Sequence, residues 1–181
     1  MLNGRGAERV GLHRTETINL GSVLNNRRLM SEAETGSQGT AAVPRAAQVL
    51  IVEDNRADVF LVERAVEHYH VPAALKLLED GEQAIKYLES LEDQPDAPIP
   101  SLLLLDLNLP KRPGTEVLRR LRASGRCRNI PVIVLTSSDS ADDRRVASEY
   151  GASCYFRKPT SYDEFLKIGH VMNEVLSTNH C

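Results

Sequence analysis

The sequence predicts an α/β fold in which a five-stranded parallel sheet is doubly wound by five helices. Three observations support this fold class. Short apolar segments alternate with longer segments of helical periodicity from residue 49 onward, which is typical of consecutive βα units. The run Leu102–Leu105 has no polar face, as expected for a parallel strand that is buried on both sides. Residues with a strong preference for the N-cap stand where the helical segments begin.

The first two βα units have clear helix beginnings. Strands are predicted at residues 49–52 and 74–78. Asn55 is a suitable N-cap for the helix after the first strand. Asp80 caps the next helix, and Gln83 occupies the capping-box position three residues later. Apolar residues in the first helix recur at steps of three and four, so one face of that helix is expected to pack against the sheet.

The last three βα units follow a stiff loop that contains three prolines. Strands are predicted at residues 102–105, 131–135 and 154–156. Helices are predicted at residues 115–124 and 140–150, with a last helix from residue 161. Gly151 is expected to end the fourth helix. Ser161 and Glu164 match a capping box that would begin the last helix.

The domain organisation follows from length and composition. A chain of 181 residues is long enough for one domain and a tail. Residues 1–46 have scattered apolar positions and include a segment rich in Ser, Gly and Thr, so we predict a disordered N-terminal tail. The domain is predicted to occupy residues 47–178, with no second domain after it.

Charge and hydropathy exclude several classes of partner. The 22 basic and 25 acidic residues give a net charge of −3, which offers no electrostatic basis for binding nucleic acid or a membrane surface. The longest apolar stretches are shorter than the ~18 residues that a membrane span needs. Residues 1–30 lack the compact apolar core of a secretory signal, so a cytoplasmic location is expected.

Polar side chains stand at the predicted carboxyl ends of four strands. Glu53 and Asp54 follow the first strand, Asp106 ends the third, Thr136 follows the fourth and Lys158 follows the fifth. Because parallel strands end at the same edge of the sheet, these side chains are expected to lie together where ligands bind in such folds. A single charge at such an edge is usually a turn or cap residue, so the combination carries the functional argument.

Three carboxylates at this edge predict a metal site. Glu53, Asp54 and Asp106 would repel one another at close range, and a hard cation would relieve that repulsion. An all-oxygen set of ligands fits Mg²⁺ better than a softer metal. The backbone carbonyl of Asn108 is expected to complete the protein ligands.

These residues resemble the receiver domain of bacterial response regulators, the CheY-like superfamily, over residues 49–176. The matching motifs are Val-Glu-Asp-Asn at 52–55, Leu-Leu-Asp-Leu-Asn-Leu-Pro around Asp106, Gly114, Val-Leu-Thr-Ser-Ser around Thr136, and Lys158-Pro159. The motif after the first strand is also similar to the single-domain regulators that pair with bacterial phytochrome kinases. The resemblance implies a flavodoxin-like sheet with strand order 2-1-3-4-5. No output domain is expected, because only about five residues follow the last predicted helix.

The resemblance also implies a chemistry. Asp106 would accept a phosphoryl group from a sensor histidine kinase in a reaction that needs Mg²⁺, and the similarity to phytochrome-paired regulators implies a kinase of the phytochrome type. Asp54 and Asp106 would hold the metal directly and Glu53 through water, while Lys158 would act as a point charge. Such a protein is a signalling phosphoprotein and not an enzyme, since it catalyses only its own phosphorylation and dephosphorylation.

The family resemblance implies a switch as well. The hydroxyl of Thr136 would bind the phosphoryl group, and Tyr155 matches the aromatic position that turns inward in this family. Simple packing of Tyr155 is the alternative. The fourth helix, the fifth strand and the last helix would form the protein-interaction face, and the face of the last helix would also support a homodimer.

Two other functions remain open from the sequence. A Mg²⁺-dependent phosphohydrolase would also form an aspartyl-phosphate, but haloacid-dehalogenase-like enzymes place an acid/base Asp where Asn108 stands. A phosphorylation-independent interaction module would be expected to lack Asp106, Lys158 or the acidic pair, all of which are present.

Overall fold

The computed structural model describes residues 17–18, 46–138 and 140–178. These residues form one sheet covered by helices on both faces. The strands are β1 (Thr17–Ile18), β2 (Ala47–Val52), β3 (Ala73–Leu78), β4 (Leu102–Leu105), β5 (Val132–Thr136) and β6 (Cys154–Arg157). The helices are α1 (Arg56–His68), α2 (Gly81–Glu92), α3 (Gly114–Ala123), α4 (Ala141–Glu149), α5 (Tyr162–Leu166) and α6 (Ile168–Thr178).

The predicted strand order is confirmed. The sheet runs β1-β3-β2-β4-β5-β6, and the last five strands in this list are parallel, which is the order 2-1-3-4-5 of the predicted units. An additional strand extends the edge, because β1 pairs with β3 antiparallel, with Thr17 opposite Lys76. The rest of the predicted disordered tail, residues 1–16 and 19–45, lies outside the described residues.

The alternation of side chains along β4 explains why four consecutive leucines are buried. Leu102 and Leu104 belong to the core beneath α1, α5 and α6. Leu103 and Leu105 belong to the core beneath α2, α3 and α4. A central strand therefore needs an apolar residue at every position, as the sequence predicts. Among the residues that the structure describes, no helix is both long enough and apolar enough to cross a membrane.

Asn55, Asp80 and Ser161 all occupy the predicted N-cap positions, and two of them form the capping hydrogen bond. The side chain of Asn55 accepts a hydrogen bond from the backbone N–H of Ala57, and that of Asp80 accepts one from Gln83. The predicted capping box at the last helix is wrong, since the side chain of Ser161 makes no capping bond. Glu164 instead accepts a hydrogen bond from Lys167, 2.7 Å away, where the predicted single helix divides into α5 and α6.

The C-terminal end of α4 is fixed to α3 by one arginine. The Arg122 guanidinium donates hydrogen bonds to the backbone carbonyls of Tyr150 and Gly151 at 2.7 and 2.8 Å. It also donates to the carbonyls of Arg128 and Ile130 in the loop before β5. By contrast, α4 itself packs lightly, because Ala147 is its one buried residue.

Candidate functional site

The three predicted metal-binding carboxylates meet at the carboxyl edge of the sheet. Glu53 and Asp54 follow β2, and Asp106 follows the neighbouring strand β4. Their nearest carboxylate oxygens all lie within 4.8 Å of one another. Glu53 and Asp106 are buried, with 2% and 5% of their surfaces exposed, whereas Asp54 is open to solvent. The cluster is therefore anionic, partly dry and accessible from one side.

The ammonium of Lys158 neutralises part of this cluster. Its Nζ donates hydrogen bonds to Asp106 Oδ2 at 2.6 Å and to Glu53 Oε2 at 2.7 Å. The third carboxylate that it contacts is Asp58, whose Oδ2 is 2.8 Å away. Asp58 is not among the site residues that the sequence predicts. Its local signal is its place in the first turn of α1, at the end of the Asp54-Asn55-Arg56-Ala57-Asp58 motif that follows the first strand.

Burial and hydrogen-bonded charges have opposing effects on the pKa values of Glu53 and Lys158. Burial raises the pKa of Glu53 to about 7, although the hydrogen bond and charge of Lys158 act to lower it. Burial alone would lower the pKa of Lys158, but its hydrogen bonds to Asp106, Asp58 and Glu53 outweigh that effect and raise it. The ammonium therefore stays charged at neutral pH.

Asp106 is oriented by the loop that follows it. The backbone N–H of Asn108 donates to Asp106 Oδ1 at 2.9 Å, while Lys158 binds the other oxygen. The loop returns to the strand end through a hydrogen bond from Gly114 to the carbonyl of Leu107. A Cβ atom at position 114 would lie 2.2 Å from the Asp106 carbonyl oxygen, so this close approach requires glycine.

Thr136 and Tyr155 are linked through the loop after β5. Thr136 is fully buried, and its hydroxyl oxygen accepts from Asn108 Nδ2 at 3.4 Å and from the Ser138 N–H at 3.2 Å. The hydroxyl of Tyr155 donates to the Ser138 carbonyl at 3.0 Å. The Arg144 guanidinium of α4 lies over the Tyr155 ring, 5.2 Å from its centroid. A contact path thus runs from Thr136 to α4.

The loop that carries Asn108 is attached to α2 by a partly buried ion pair. Lys111 Nζ lies 2.5 Å from Asp80 Oδ2, and Lys111 adopts a left-handed backbone conformation with φ of 63°. The N–H of Gly81 also donates to the Pro110 carbonyl. Burial would raise the pKa of Asp80, but hydrogen bonds from Lys111 and Gln83 outweigh burial and lower it.

Asp80→Asn is expected to lower the free energy of unfolding by about 1–2 kcal/mol at pH 7, because the amide cannot pair with Lys111. A carboxylate whose pKa is depressed in the folded state stabilises the protein above its unfolded pKa, ~3.9 for Asp. That contribution is lost as the pH falls through the lower folded pKa. Urea unfolding followed by circular dichroism at several pH values measures it.

The Asn substitution is the appropriate probe because its amide oxygen can still accept from the Gln83 N–H. The difference between wild type and Asp80→Asn should shrink as the pH approaches 3. A difference that stays the same from neutral to acid pH would argue against the ion pair. Lys111→Met is the matched control and should reproduce the effect at pH 7.

The donor set at the sheet edge fits a hard divalent cation. All three side chains offer carboxylate oxygens, and the cluster has more negative charge than Lys158 alone can neutralise. Sulfur and imidazole ligands are absent from the cluster among the described residues. The predicted site residues are thus brought together in a form that could bind a metal ion.

Comparison with known proteins identifies the family. Residues 49–169 match the response regulator receiver domain. The response regulator Rcp1 of Synechocystis sp. is 36% identical over 120 residues, which is 66% of this chain and 82% of Rcp1.

Two crystal structures have the same fold. The phosphorylated cyanobacterial phytochrome response regulator RcpA superposes with a TM-score of 0.66 and 32% identity, over 75% of this chain and 96% of RcpA. The Mn(2+)-bound form of Rcp1 has a TM-score of 0.62 and 33% identity, over 73% of this chain and 93% of that structure. The sheet order, the acidic cluster with its lysine and the sequence match together show that this chain belongs to the response regulator receiver domain family.

Proposed function

We propose that this protein is a response regulator that accepts a phosphoryl group on Asp106 from a sensor histidine kinase and thereby switches a protein-interaction face. The observation that carries the proposal is the position of the Asp106 carboxylate, which is buried in the acidic cluster with Lys158 Nζ 2.6 Å away. A buried carboxylate with an adjacent cation and a set of metal ligands is suited to phosphoryl transfer, where positioning and charge stabilisation dominate.

The transfer would join a carboxylate oxygen of Asp106 to phosphorus and break the bond between phosphorus and the kinase histidine nitrogen, which keeps the electron pair. Hydrogen bonds from Lys158 and from the Asn108 N–H hold the two carboxylate oxygens in place beforehand. A Mg²⁺ ion held by Asp54, Asp106 and the Asn108 carbonyl, with Glu53 acting through water, would supply charge neutralisation for the phosphoryl oxygens. The Lys158 ammonium would bind another of these oxygens.

The switch would begin at Thr136. Its two contacts, from Asn108 and Ser138, both use the hydroxyl as an acceptor, so the hydroxyl proton can be donated to a phosphoryl oxygen. Movement of Thr136 would then pull the Ser138 segment, to which Tyr155 is bonded. The face made by α4, β6 and the two C-terminal helices would carry the signal, with a coupling of about 1–3 kcal/mol.

The partner is proposed to be a kinase of the phytochrome type. This finer assignment is supported by the likeness to RcpA, which is a phytochrome response regulator. A cytoplasmic location and a homodimer through the α5–α6 face belong to the same proposal. Phosphotransfer from each histidine kinase of the same organism, measured under identical conditions, would identify the cognate kinase.

The test of the proposed function is covalent labelling. Incubation with acetyl phosphate and Mg²⁺ should add about 80 Da to the intact mass, the increment of one phosphoryl group. Chelation of the metal should prevent the addition. A protein that never gains this mass with donor and Mg²⁺ present would contradict the proposal.

The lifetime of the aspartyl-phosphate is expected to depend on Asn108. The Asn108 side chain donates to the Thr136 hydroxyl, and a longer side chain at this position would obstruct a hydrolytic water that approaches Asp106. Asn108→Arg should lengthen the lifetime about threefold to tenfold, which corresponds to about 1 kcal/mol of activation free energy. Release of inorganic phosphate from the labelled protein measures the rate. Asn129→Arg, at the opposite end of the sheet, is the control, and equal lifetimes for the two variants would contradict the role of Asn108.

A further inference from the structure

We propose that Asp58 is a positioning residue that holds the Lys158 ammonium at the edge of the acidic cluster, so that the metal ligands can bind a cation without leaving the ammonium unpaired. The inference rests on the proposed function, since it concerns the same site. It assigns a task to a carboxylate that lies outside the group of three metal-binding side chains.

The geometry around Lys158 Nζ divides its partners into two kinds. Two of the three carboxylates, Glu53 and Asp106, belong to the cluster whose oxygens lie within 4.8 Å of one another. Asp58 is the third partner at 2.8 Å, and it is not a member of that cluster. An ammonium has three N–H donors, so it can donate one hydrogen bond to each of these three carboxylates.

Asp58 is itself held in position by the beginning of α1. Asn55 Nδ2 donates to Asp58 Oδ2 at 3.1 Å, while Asn55 Oδ1 accepts from the Ala57 N–H at 3.0 Å. The orientation of the Asn55 amide is therefore fixed at both ends. A negative charge in the first turn is also favoured by the helix dipole. The side chain of Asp58 is 17% exposed, so water screens its contact with Lys158 only partly.

Asp58 matters because the Lys158 ammonium and a metal ion would compete for the carboxylates of Glu53 and Asp106. The ammonium contacts one oxygen each of Glu53 and Asp106, and a metal ion would need oxygens of the same two carboxylates. With Asp58 present, the ammonium keeps an anionic partner after a metal ion binds. Without Asp58, its anionic partners are the metal ligands themselves, so metal binding has to displace it. The hydrogen bond to Asp58 also keeps the Lys158 ammonium at the position where it would contact a phosphoryl oxygen.

A double-mutant cycle on the full chain tests this inference. The dissociation constant for Mg²⁺ is measured by calorimetry, without any phosphodonor, for wild type, Asp58→Asn, Lys158→Met and the double variant. Asp58→Asn should raise the constant about 10-fold, the lower end for residues that orient metal ligands. In the Lys158→Met background the same change should alter it less than about 2-fold, because the ammonium is no longer there to be positioned.

A matched control separates positioning from charge. Glu79 follows β3 at the same edge of the sheet and pairs with Arg56, so Glu79→Gln removes one negative charge without touching Lys158. We expect this control to change the Mg²⁺ constant less than about 2-fold. An equal effect of Asp58→Asn in both backgrounds would overturn the proposal, because Asp58 would then act only through its charge. No effect in either background would also overturn it.

If Lys158→Met does not fold by circular dichroism, salt dependence replaces the cycle. A long-range charge effect is screened when the Debye length falls to ~3 Å at 1 M salt, whereas an effect transmitted by contact persists. The ratio of the Mg²⁺ dissociation constants of wild type and Asp58→Asn should therefore stay the same at high salt, and a ratio that falls to one would overturn the proposal.

Labelling with acetyl phosphate is scored separately. Mg²⁺ binding with the expected cycle but no adduct contradicts the proposed function alone, and an adduct with unchanged Mg²⁺ constants contradicts the role of Asp58 alone.

Discussion

Asp106→Asn is expected to abolish the phosphoryl adduct, with the rate of labelling by acetyl phosphate and Mg²⁺ falling by at least about 10³-fold. The amide has no anionic oxygen to attack phosphorus, which is the step that nucleophilic catalysis requires. Asn is nearly the same size and can still accept from the Asn108 N–H, so the loop after β4 should keep its position. Intact mass spectrometry over time measures the labelling.

The control for this experiment is an exposed carboxylate. Asp96 lies in the loop before β4, at the far end of the strand from Asp106, and it is open to solvent. Asp96→Asn should be labelled at the wild-type rate. If Asp106→Asn gains the adduct as readily as Asp96→Asn does, another residue is the acceptor and the proposed function fails.

Lys158→Met is expected to have the largest effect on stability. In the absence of divalent metal, it should lower the free energy of unfolding by about 3 kcal/mol, the lower end for removing one partner of a buried ion pair. The substitution leaves Glu53, Asp58 and Asp106 without the ammonium that contacts all three, and the lysine side chain is only 10% exposed. Urea unfolding in the presence of a chelator measures the loss.

Added Mg²⁺ should restore part of that stability. A ligand that binds only the folded state stabilises it in proportion to the logarithm of its concentration. Without the competing ammonium the variant should gain more from Mg²⁺ than the wild type does. Lys167→Met is the control, because Lys167 pairs with Glu164 on the surface and both side chains are 58% exposed. Its effect should stay below about 1 kcal/mol, and equal losses for the two lysine variants would contradict this account.

The strands and helix caps that depend only on neighbouring residues could be predicted from the sequence. Four consecutive leucines specify a strand buried on both faces, and β4 is such a strand. Asn55 and Asp80 cap helices through their own backbone neighbours, so their positions follow from short-range chemistry. The gathering of the strand-end residues follows from the parallel sheet itself. Glu53 and Lys158, for example, are 105 residues apart in the chain but 2.7 Å apart in space.

The features that could not be predicted from the sequence depend on contacts between side chains that are far apart in the chain. Asp58 is recognisable as a site residue only once Lys158, 100 residues later, is seen to contact it. The pairing of Lys111 with Asp80 likewise depends on how the loop after β4 folds against α2. At Ser161 the local capping pattern was present, but Glu164 pairs with Lys167 instead. The two residues of β1 are too few to show any period.

The anchoring of α4 by Arg122 limits how this helix can respond to events at Asp106. Its C-terminal end is bonded through the Tyr150 and Gly151 carbonyls, whereas its N-terminal end follows the loop that contains Ser138. With one residue in the core, the helix gives up little apolar contact when it moves. The first turn of α4 is bonded to the Ser138 segment, because the Ser138 hydroxyl donates to the Asp143 carboxylate and Arg144 lies over the Tyr155 ring. If that segment moves as proposed, a partner that distinguishes the two states would contact the first turn of α4.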